Sequence, residues 1–572
     1  MKVSKSWLKE LVDKVVIEEV ERLLPLRTIG TKEITDDFIE LDMKGYNRAD
    51  LLSIRGVARE VAAITNSEIT FNELNGLEYT WASRQLPSTP VTTDEELNPL
   101  QAVAKIEGLK VNTSPKEWVK KLTDSGMRSV NNIVDVTNLI MLEYGHPLHA
   151  FDANKVKNDT INIRRAKDGE EIVTLDGKLR KLTAEDIILA DDEKPLDVAG
   201  VMGGEGTQTS NSTRTILLSA SLFNPAMVRK TSQRLKLSSE ASKRFYHGLT
   251  RKRLLQALDR AIKMYEELGG KLTALTLIGN LEDRPKTVIL TLKKINSLIG
   301  IDIPEENIKK YLESLGFHLR GVNVNSWEVE IPYWRLDIDI EEDLIEEVAR
   351  MFGYEKIPAK KLQGKLPERI DQSLFEKIYK TKKFLAEAGL TEVQTYSFYS
   401  TGVLAALGFN ESLEDAIVKI ANPISKETEY LREFIWPNLI EVVEKNLRRD
   451  FNDIAIFEIG KIYLPGKDNP PKESYHLAIA LMNDTDNPLE ELLVILNSIQ
   501  DLLHIQIEKG GMMKELETIF HPKRFATVKS GDKVIGGIAE VHPRFLNNFG
   551  SPRSAGGAGI TKRVAILEIK IE

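Results

Sequence analysis

The sequence predicts an α+β protein built from several domains. Three observations carry that expectation. The chain has 572 residues, enough for roughly three to five domains at about 100–200 residues each. Short stretches of period-two alternation are interleaved along it with longer stretches of helical period. Breaks rich in Pro, Gly and charge, EDRPKTV (282–288) and PAKKLQGKLPE (358–368), separate regions of different texture.

Taken in order, residues 1–25 predict one helix or two, with Trp7, Leu8, Leu11 and Val15 on one face. DFIELDM (37–43) alternates as a strand does, and ADLLSIRGVAREVAAIT (49–65) has helical period. Residues 76–100, rich in Thr, Ser, Pro and acid, predict a loop or linker. From about 101 to 275 the sequence is mixed α/β, with many short strands and Gly-containing turns. It is closed by a helix over 250–270 that Gly269 and Gly270 stop. A compact unit follows over 288–358: a helix in PEENIKKYLESLGF, a strand in WEVEIP, then an acidic segment. The last 200 residues or so open with the helix SLFEKIYKTKKFLAEAGL. They continue with strands at VQTYSFYS, DIAIFEIGKIYL, ESYHLAIALM, KVIGGIAEV and RVAILEIKI.

Composition excludes several classes of function. There is no cysteine, which removes disulfides, thiolate zinc sites and cysteine nucleophiles. No apolar run approaches the roughly 20 residues needed to span a bilayer, and the N-terminus lacks the uncharged core of a secretory signal. The expectation is a cytoplasmic protein without a membrane partner. A net charge of −8 argues against a generally basic nucleic-acid binder but leaves room for local basic patches.

Five stretches carry candidate chemistry. RLDIDIEEDLIEEVAR, Arg335 to Arg350, packs seven carboxylates into sixteen residues. Its first half alternates as a strand, with Leu336, Ile338 and Ile340 against Asp337 and Asp339. Its second half has helical period, with Asp343, Glu346 and Glu347 at i, i+3 and i+4. That grouping predicts either a solvated helix face or a site for a basic partner or a hard cation such as Mg²⁺. GHPLHAFD (145–152) spaces His146 and His149 three apart but lacks the further ligands that zinc needs; contact with a small molecule suits it better. In the preceding RSVNNIVDVTNLIM, the polar residues Asn131, Asn132, Asp135 and Asn138 lie among apolar ones and either hold a loop or read a ligand. AGVMGGEG (199–206) matches neither phosphate-binding glycine motif, so close backbone approach to a ligand or tight strand packing is the better use of its glycines. RKTSQRLKLSSEASKRF (229–245) is basic and hydroxyl-rich, a phosphate-contacting segment or a solvated helix.

In this order the stretches MRSVNNIVDVTNLIMLEYGHPLHAFD, DVAGVMGGEGT, SSEASKRF, YWRLDIDIEEDLIEEVARMFGYEKIP, NPISKETEYLREFIWPNLIEVVEKNLRR and HPKRFA resemble the β subunit of bacterial-type phenylalanyl-tRNA synthetase over nearly the whole chain. The resemblance implies four regions. These are an N-terminal helical and strand segment (1–40), a mixed α/β editing-type domain of the B3/B4 kind (41–280), a small B5-like domain (283–360) and a catalytically silent class II synthetase-like antiparallel-sheet domain (366–572). It implies a phenylalanine–tRNA ligase of α₂β₂ form. The α subunit would carry the aminoacylation site and its ATP, and tRNA(Phe) would be the nucleic-acid partner. Mg²⁺ is implied at Asp337, Asp343, Glu346 and Glu347. An editing pocket for mischarged Tyr-tRNA is implied at Arg128, Asn138, Pro147, His149, Ala199, Gly200 and Ser219. Contacts to tRNA fall on Arg229, Lys230, Arg234, Lys236, Lys243 and Arg244.

Two departures from the family pattern shape the expectation. Ser219 stands where the family usually has a glutamate that reads the tyrosine hydroxyl, which predicts slow editing. The sequence also leaves no room for an inserted OB fold near the N-terminus and stops before an anticodon-binding domain, which predicts a reduced form of the subunit. Two other functions fit the same residues: a scaffold for α without chemistry of its own, and a free-standing deacylase of mischarged tRNA.

Overall fold

The computed structural model describes residues 1–74, 78–361, 364, 370–407, 417–466, 470–483, 487–508, 519–547, 560 and 562–571. The break expected at 358–368 lies partly outside these residues. The chain divides into two compact units, Met1–Leu362 and Gln363–Glu572.

In the first unit an antiparallel four-stranded sheet runs in the order Lys271–Gly279, Leu100–Glu107, Thr215–Leu222, Leu148–Asp152. Both of its faces are buried, and the strand period of two sorts its side chains between two cores. Ala102, Ala104, Ile106, Ile216, Leu218 and Ala220 join a core with Leu254, Leu258 and Ile262 of the helix Arg251–Glu267. Val103 and Leu217 face the other way, into a core shared with Ile163, Ile188 and Leu196 of a second sheet. That five-stranded sheet runs Met202–Gly203, Pro195–Val198, Ile187–Ala190, Ile161–Arg165, Val91–Thr92. The result is a helix layer, a sheet and a second sheet stacked in that order. A strand buried on both faces reads as an apolar run, which is what TILLSASL is apart from its serines.

The same unit contains a small domain around a three-stranded sheet, Lys286–Thr291, Ser326–Ile331, His318–Asn323. Its core joins Leu290, Phe317 and Trp327 to Leu344 and Val348 of the helix Glu341–Phe352. The strand expected over Leu336–Ile340 is absent, and the segment turns instead. Ile338 is buried, but Leu336 and Ile340 are exposed. The Asp343 side chain also draws the N–H groups of Asp339 and Ile340 into the start of the helix, at 2.7 and 2.9 Å, so the segment has no sheet partner.

The second unit is built on a seven-stranded sheet in the order Thr391–Glu392, Ile454–Leu464, Lys472–Met482, Ala565–Lys570, Lys533–Val541, Phe520–Ser530, Gln506–Glu508. Ala478 and Ala480 pack under the helix Trp436–Leu447. Leu477 and Ile479 pack on the other side, under the helices Ser373–Glu387 and Pro488–Leu503. The strand expected over 393–400 is reduced to Thr391–Glu392 and an isolated bridge from Phe398 to Leu431. Conversely, Phe520–Ser530, whose charges and proline mask its alternation, is a full strand.

Candidate functional site

Between the four-stranded and five-stranded sheets of the first unit lies a cavity of about 80 Å³, several times the roughly 10–15 Å³ that one water molecule needs. Each wall comes from a different element. The strand Leu148–Asp152 brings His149, which lies directly opposite Ser219 in the neighbouring strand. The second sheet contributes Leu189, Asp197, Met202 and Gly203, with Asp197 paired to Leu189 on one side and Gly203 on the other. The helix Glu240–His247 closes it with Ala241 and Phe245. That helix is tied down by its N-cap, where the Ser239 hydroxyl donates to the Val201 carbonyl at 2.6 Å.

The cavity owes its shape to missing side chains. A Cβ at Gly203 would come within 2.5 Å of His149 Cε1, so the imidazole lies directly over this glycine. Gly200 has φ of +68° and would meet Phe245 and Phe223 at 3.0 and 3.2 Å, a left-handed position that glycine takes without strain.

The polar groups in the walls fall into two sets. Ser219 and Ser221 are already bonded to one another's partner: the Gln101 amide donates to the Ser219 hydroxyl at 2.8 Å, and Ser221 donates to the Gln101 carbonyl oxygen at 2.6 Å. His149 Nε2 and Asp197 Oδ1 are buried and have no hydrogen-bond partner among the described residues. Burial lowers the His149 pKa to about 4, so the ring is neutral at pH 7. Burial also raises the Asp197 carboxyl to about 7.

Of the residues expected in this pocket, Pro147, His149, Gly200 and Ser219 line it. Ala199 is buried one residue before the lining, its N–H bonded to Ile187 O at 3.0 Å. Arg128 is exposed and Asn138 half-buried, and neither lines the cavity. The neighbouring polar residues hold the backbone. Asn131 caps the helix Asn132–Tyr144, Asn132 bonds Asn112 N and Lys110 O, and Asp135 accepts from Ser114 and Val130 N. His146 is fully buried, packed edge-on against Phe245 with ring centroids 6.2 Å apart. No site role was assigned from the sequence to Asp197, Gln101, Gly203 or Phe245, although Asp197 opens DVAGVMGGEGT, Gly203 lies in the glycine-dense stretch 199–206 and Phe245 ends SSEASKRF.

The acidic corner is arranged differently from its expected role. Asp337 accepts from Arg335 Nη2 at 2.7 Å. Glu347 is buried and accepts from Arg335 and, at 2.8 Å, from Arg350 Nε. Asp343 binds the backbone at the helix start, and Glu346 points to solvent. Among the described residues no group of three or more His, Asp or Glu side chains is placed to hold a metal ion. Mg²⁺ demands near-octahedral oxygen ligands, and two of the four carboxylates are already neutralised by arginine, so these residues do not fit it.

The arginines continue into a buried network. Arg350 bonds Glu60 at 2.8 Å, and Arg48 bonds Glu60 at 2.6 Å and Asp50 at 2.7 Å. Burial alone would raise the Asp50 pKa, but the Arg48 guanidinium outweighs it and holds the group at about 2.

The basic segment is partly structural too. Arg244 is buried, donating to Leu52 O at 3.0 Å and to Glu240, which removes it as a phosphate contact. Arg234 pairs with Asp186, and Lys243 with Glu240 at 2.8 Å. Arg229, Lys230 and Lys236 are exposed.

Comparison with known proteins places these features in a family. The B3/4 domain matches residues 98–270, the tRNA synthetase B5 domain 288–354, and the phenylalanyl-tRNA synthetase beta chain CLM domain 357–561. The chain belongs to the phenylalanyl-tRNA synthetase beta-subunit family. Relatives named phenylalanine–tRNA ligase beta subunit include that of Moorella thermoacetica, 37% identical over 87% of this chain and 63% of the relative. Those of Geobacter sulfurreducens and Carboxydothermus hydrogenoformans are 33% and 34% identical, covering 88% and 92% of this chain and 64% and 66% of theirs. The chain thus spans less than two thirds of the length of each of these beta subunits. Within this beta-subunit family member the cavity falls in the B3/4 domain, and the acidic corner in the B5 domain. No helix among the described residues is long and apolar enough to cross a membrane.

Proposed function

We propose that the chain works as the β subunit of a cytoplasmic phenylalanine–tRNA ligase, with a separate α subunit in an α₂β₂ assembly that takes tRNA(Phe). The observation that carries the reading is the ordered set of B3/4, B5 and CLM domains along one chain. ATP and Mg²⁺ would act at the α subunit, and the acidic corner of this chain is left out of metal binding. The division into 1–40, 41–280, 283–360 and 366–572 is proposed with it. Arg229, Lys230 and Lys236 are the basic residues best placed for tRNA phosphate.

The cavity between the two sheets is proposed as the editing site for tRNA mischarged with tyrosine. There water adds to the ester carbonyl carbon, the bond to the ribose oxygen breaks, and tyrosine and free tRNA leave. A neutral His149 can accept a hydrogen bond from that water, and the apolar walls suit an aromatic ring. The purified chain should show no phenylalanine-dependent ATP–pyrophosphate exchange and gain it on mixing with its α subunit. Robust exchange by the chain alone would overturn the assignment.

A further inference from the structure

The cavity's polar groups are not equivalent, and among its hydroxyl and carboxyl groups the difference singles out one residue, His149 Nε2 being the other buried atom without a partner among the described residues. Ser219 and Ser221 close a hydrogen-bond circuit with Gln101, so neither hydroxyl needs a ligand. Asp197 does. It lines the cavity, is 8% exposed, and its Oδ1 has no partner among the described residues. A buried acceptor left without a donor is destabilising, and native proteins rarely tolerate one without a use for it.

Its placement is also fixed. The strand Pro195–Val198 is paired on both sides at this residue, to Leu189 and to Gly203. A carboxylate on a two-sided strand moves little when a ligand enters, which is what a discriminating contact requires. Around it the surfaces are apolar and aromatic, with Leu148, Met202, Phe223 and Phe245. An aromatic ring with a hydroxyl at its far end matches such a space: hydrocarbon against hydrocarbon, O–H towards the free oxygen.

We infer that Asp197 is the specificity-determining residue of this cavity, accepting a hydrogen bond from the phenolic hydroxyl of a tyrosyl group and so separating it from a phenylalanyl group. The inference rests on the editing reading above and names the residue within it. The selectivity follows from an asymmetry. A site built to bond a hydroxyl penalises the analogue lacking it, because the buried acceptor then stays unpaired. Ser219, the position that the sequence singles out, becomes a supporting residue that holds Gln101.

The test separates recognition from hydrolysis. Binding of L-tyrosine and of L-phenylalanine to the isolated full chain, free of the partner's aminoacylation site, is measured by titration calorimetry for the native protein, Asp197→Asn and Asp197→Ala. Above pH 7, where the carboxyl is ionised, the native chain should prefer tyrosine, and both variants should lose about tenfold or more of that preference, the equivalent of one charge-assisted hydrogen bond. Phenylalanine binding should stay unchanged, which a collapsed cavity would not allow, and Asp197→Asn keeps the volume if the alanine variant fails to fold. A tyrosine preference unchanged in both variants overturns the inference, as does its absence from the native chain. Hydrolysis of preformed Tyr-tRNA by the assembled enzyme is scored separately. Hydrolysis without dependence on Asp197 leaves the editing reading standing alone. An Asp197-dependent preference without hydrolysis upholds the inference and removes the editing reading.

Discussion

Asp197 and His149 share one cavity, and burial moves their proton affinities in opposite directions. Burial raises Asp197 to about 7, so its contribution to stability is complete below the unfolded pKa near 4 and is lost as pH rises through about 7. Burial lowers His149 to about 4, so its contribution is complete above about 6.5 and is lost as pH falls towards 4. Asp197→Asn removes the first dependence alone. The stability gained by the variant should grow from pH 5 to pH 8, towards a ceiling of about 4 kcal/mol. Urea denaturation at both pH values reads it, and parallel shifts at the two would show a solvated carboxylate. The sequence made part of this visible. His149 stands in the stretch GHPLHAFD, and it does meet Ser219 across two strands. Asp197 opens the stretch DVAGVMGGEGT, but its lack of a hydrogen-bond partner among the described residues is a property of the folded interior that no linear pattern encodes.

The helix Glu341–Phe352 shows where spacing misleads. Positions i, i+3 and i+4 lie side by side on a helix, which suggested that Asp343, Glu346 and Glu347 act together. The buried stripe of Leu344, Ile345 and Val348 runs along one edge of that group, so Glu347 turns inward and Glu346 outward. Arg335 and Arg350 then take the inward carboxylate. Asp343 has its own task at the helix start, and Asp343→Ala with Glu346→Ala should cost about 0.5–2 kcal/mol, as loss of an N-terminal cap does. Melting temperature should respond equally in EDTA and in millimolar Mg²⁺. A Mg²⁺-dependent rise in the native protein that the double variant lacks would restore the metal reading. Elements of strong, uniform period were legible: the helix expected at 250–270 is Arg251–Glu267. Phe520–Ser530, whose alternation is broken by charge and proline, was not, and the unbroken alternation of Leu336–Ile340 misled, since that segment turns.

Across the first unit, the network of Arg48, Asp50, Glu60, Arg335, Asp337, Glu347 and Arg350 binds the N-terminal helices to the small domain. Removing one partner leaves charge buried without compensation, and Glu347→Ala should destabilise the unit by about 3–5 kcal/mol. A loss below about 1 kcal/mol in chemical denaturation would mean that water reaches the arginines. With Asp50 held at about 2, the network's contribution is full above the unfolded pKa near 4 and is lost as pH falls towards 2. Glu60 and Arg350 are separated by 290 positions in the chain. On a ribosome adding about 5–20 residues per second, that gap is roughly 15 to 60 s. Until Arg253 and then Arg335 are made, Arg48 is alone with both Asp50 and Glu60, one positive charge short. The earliest part of the nascent chain must therefore wait, half-neutralised, for an arginine not yet translated.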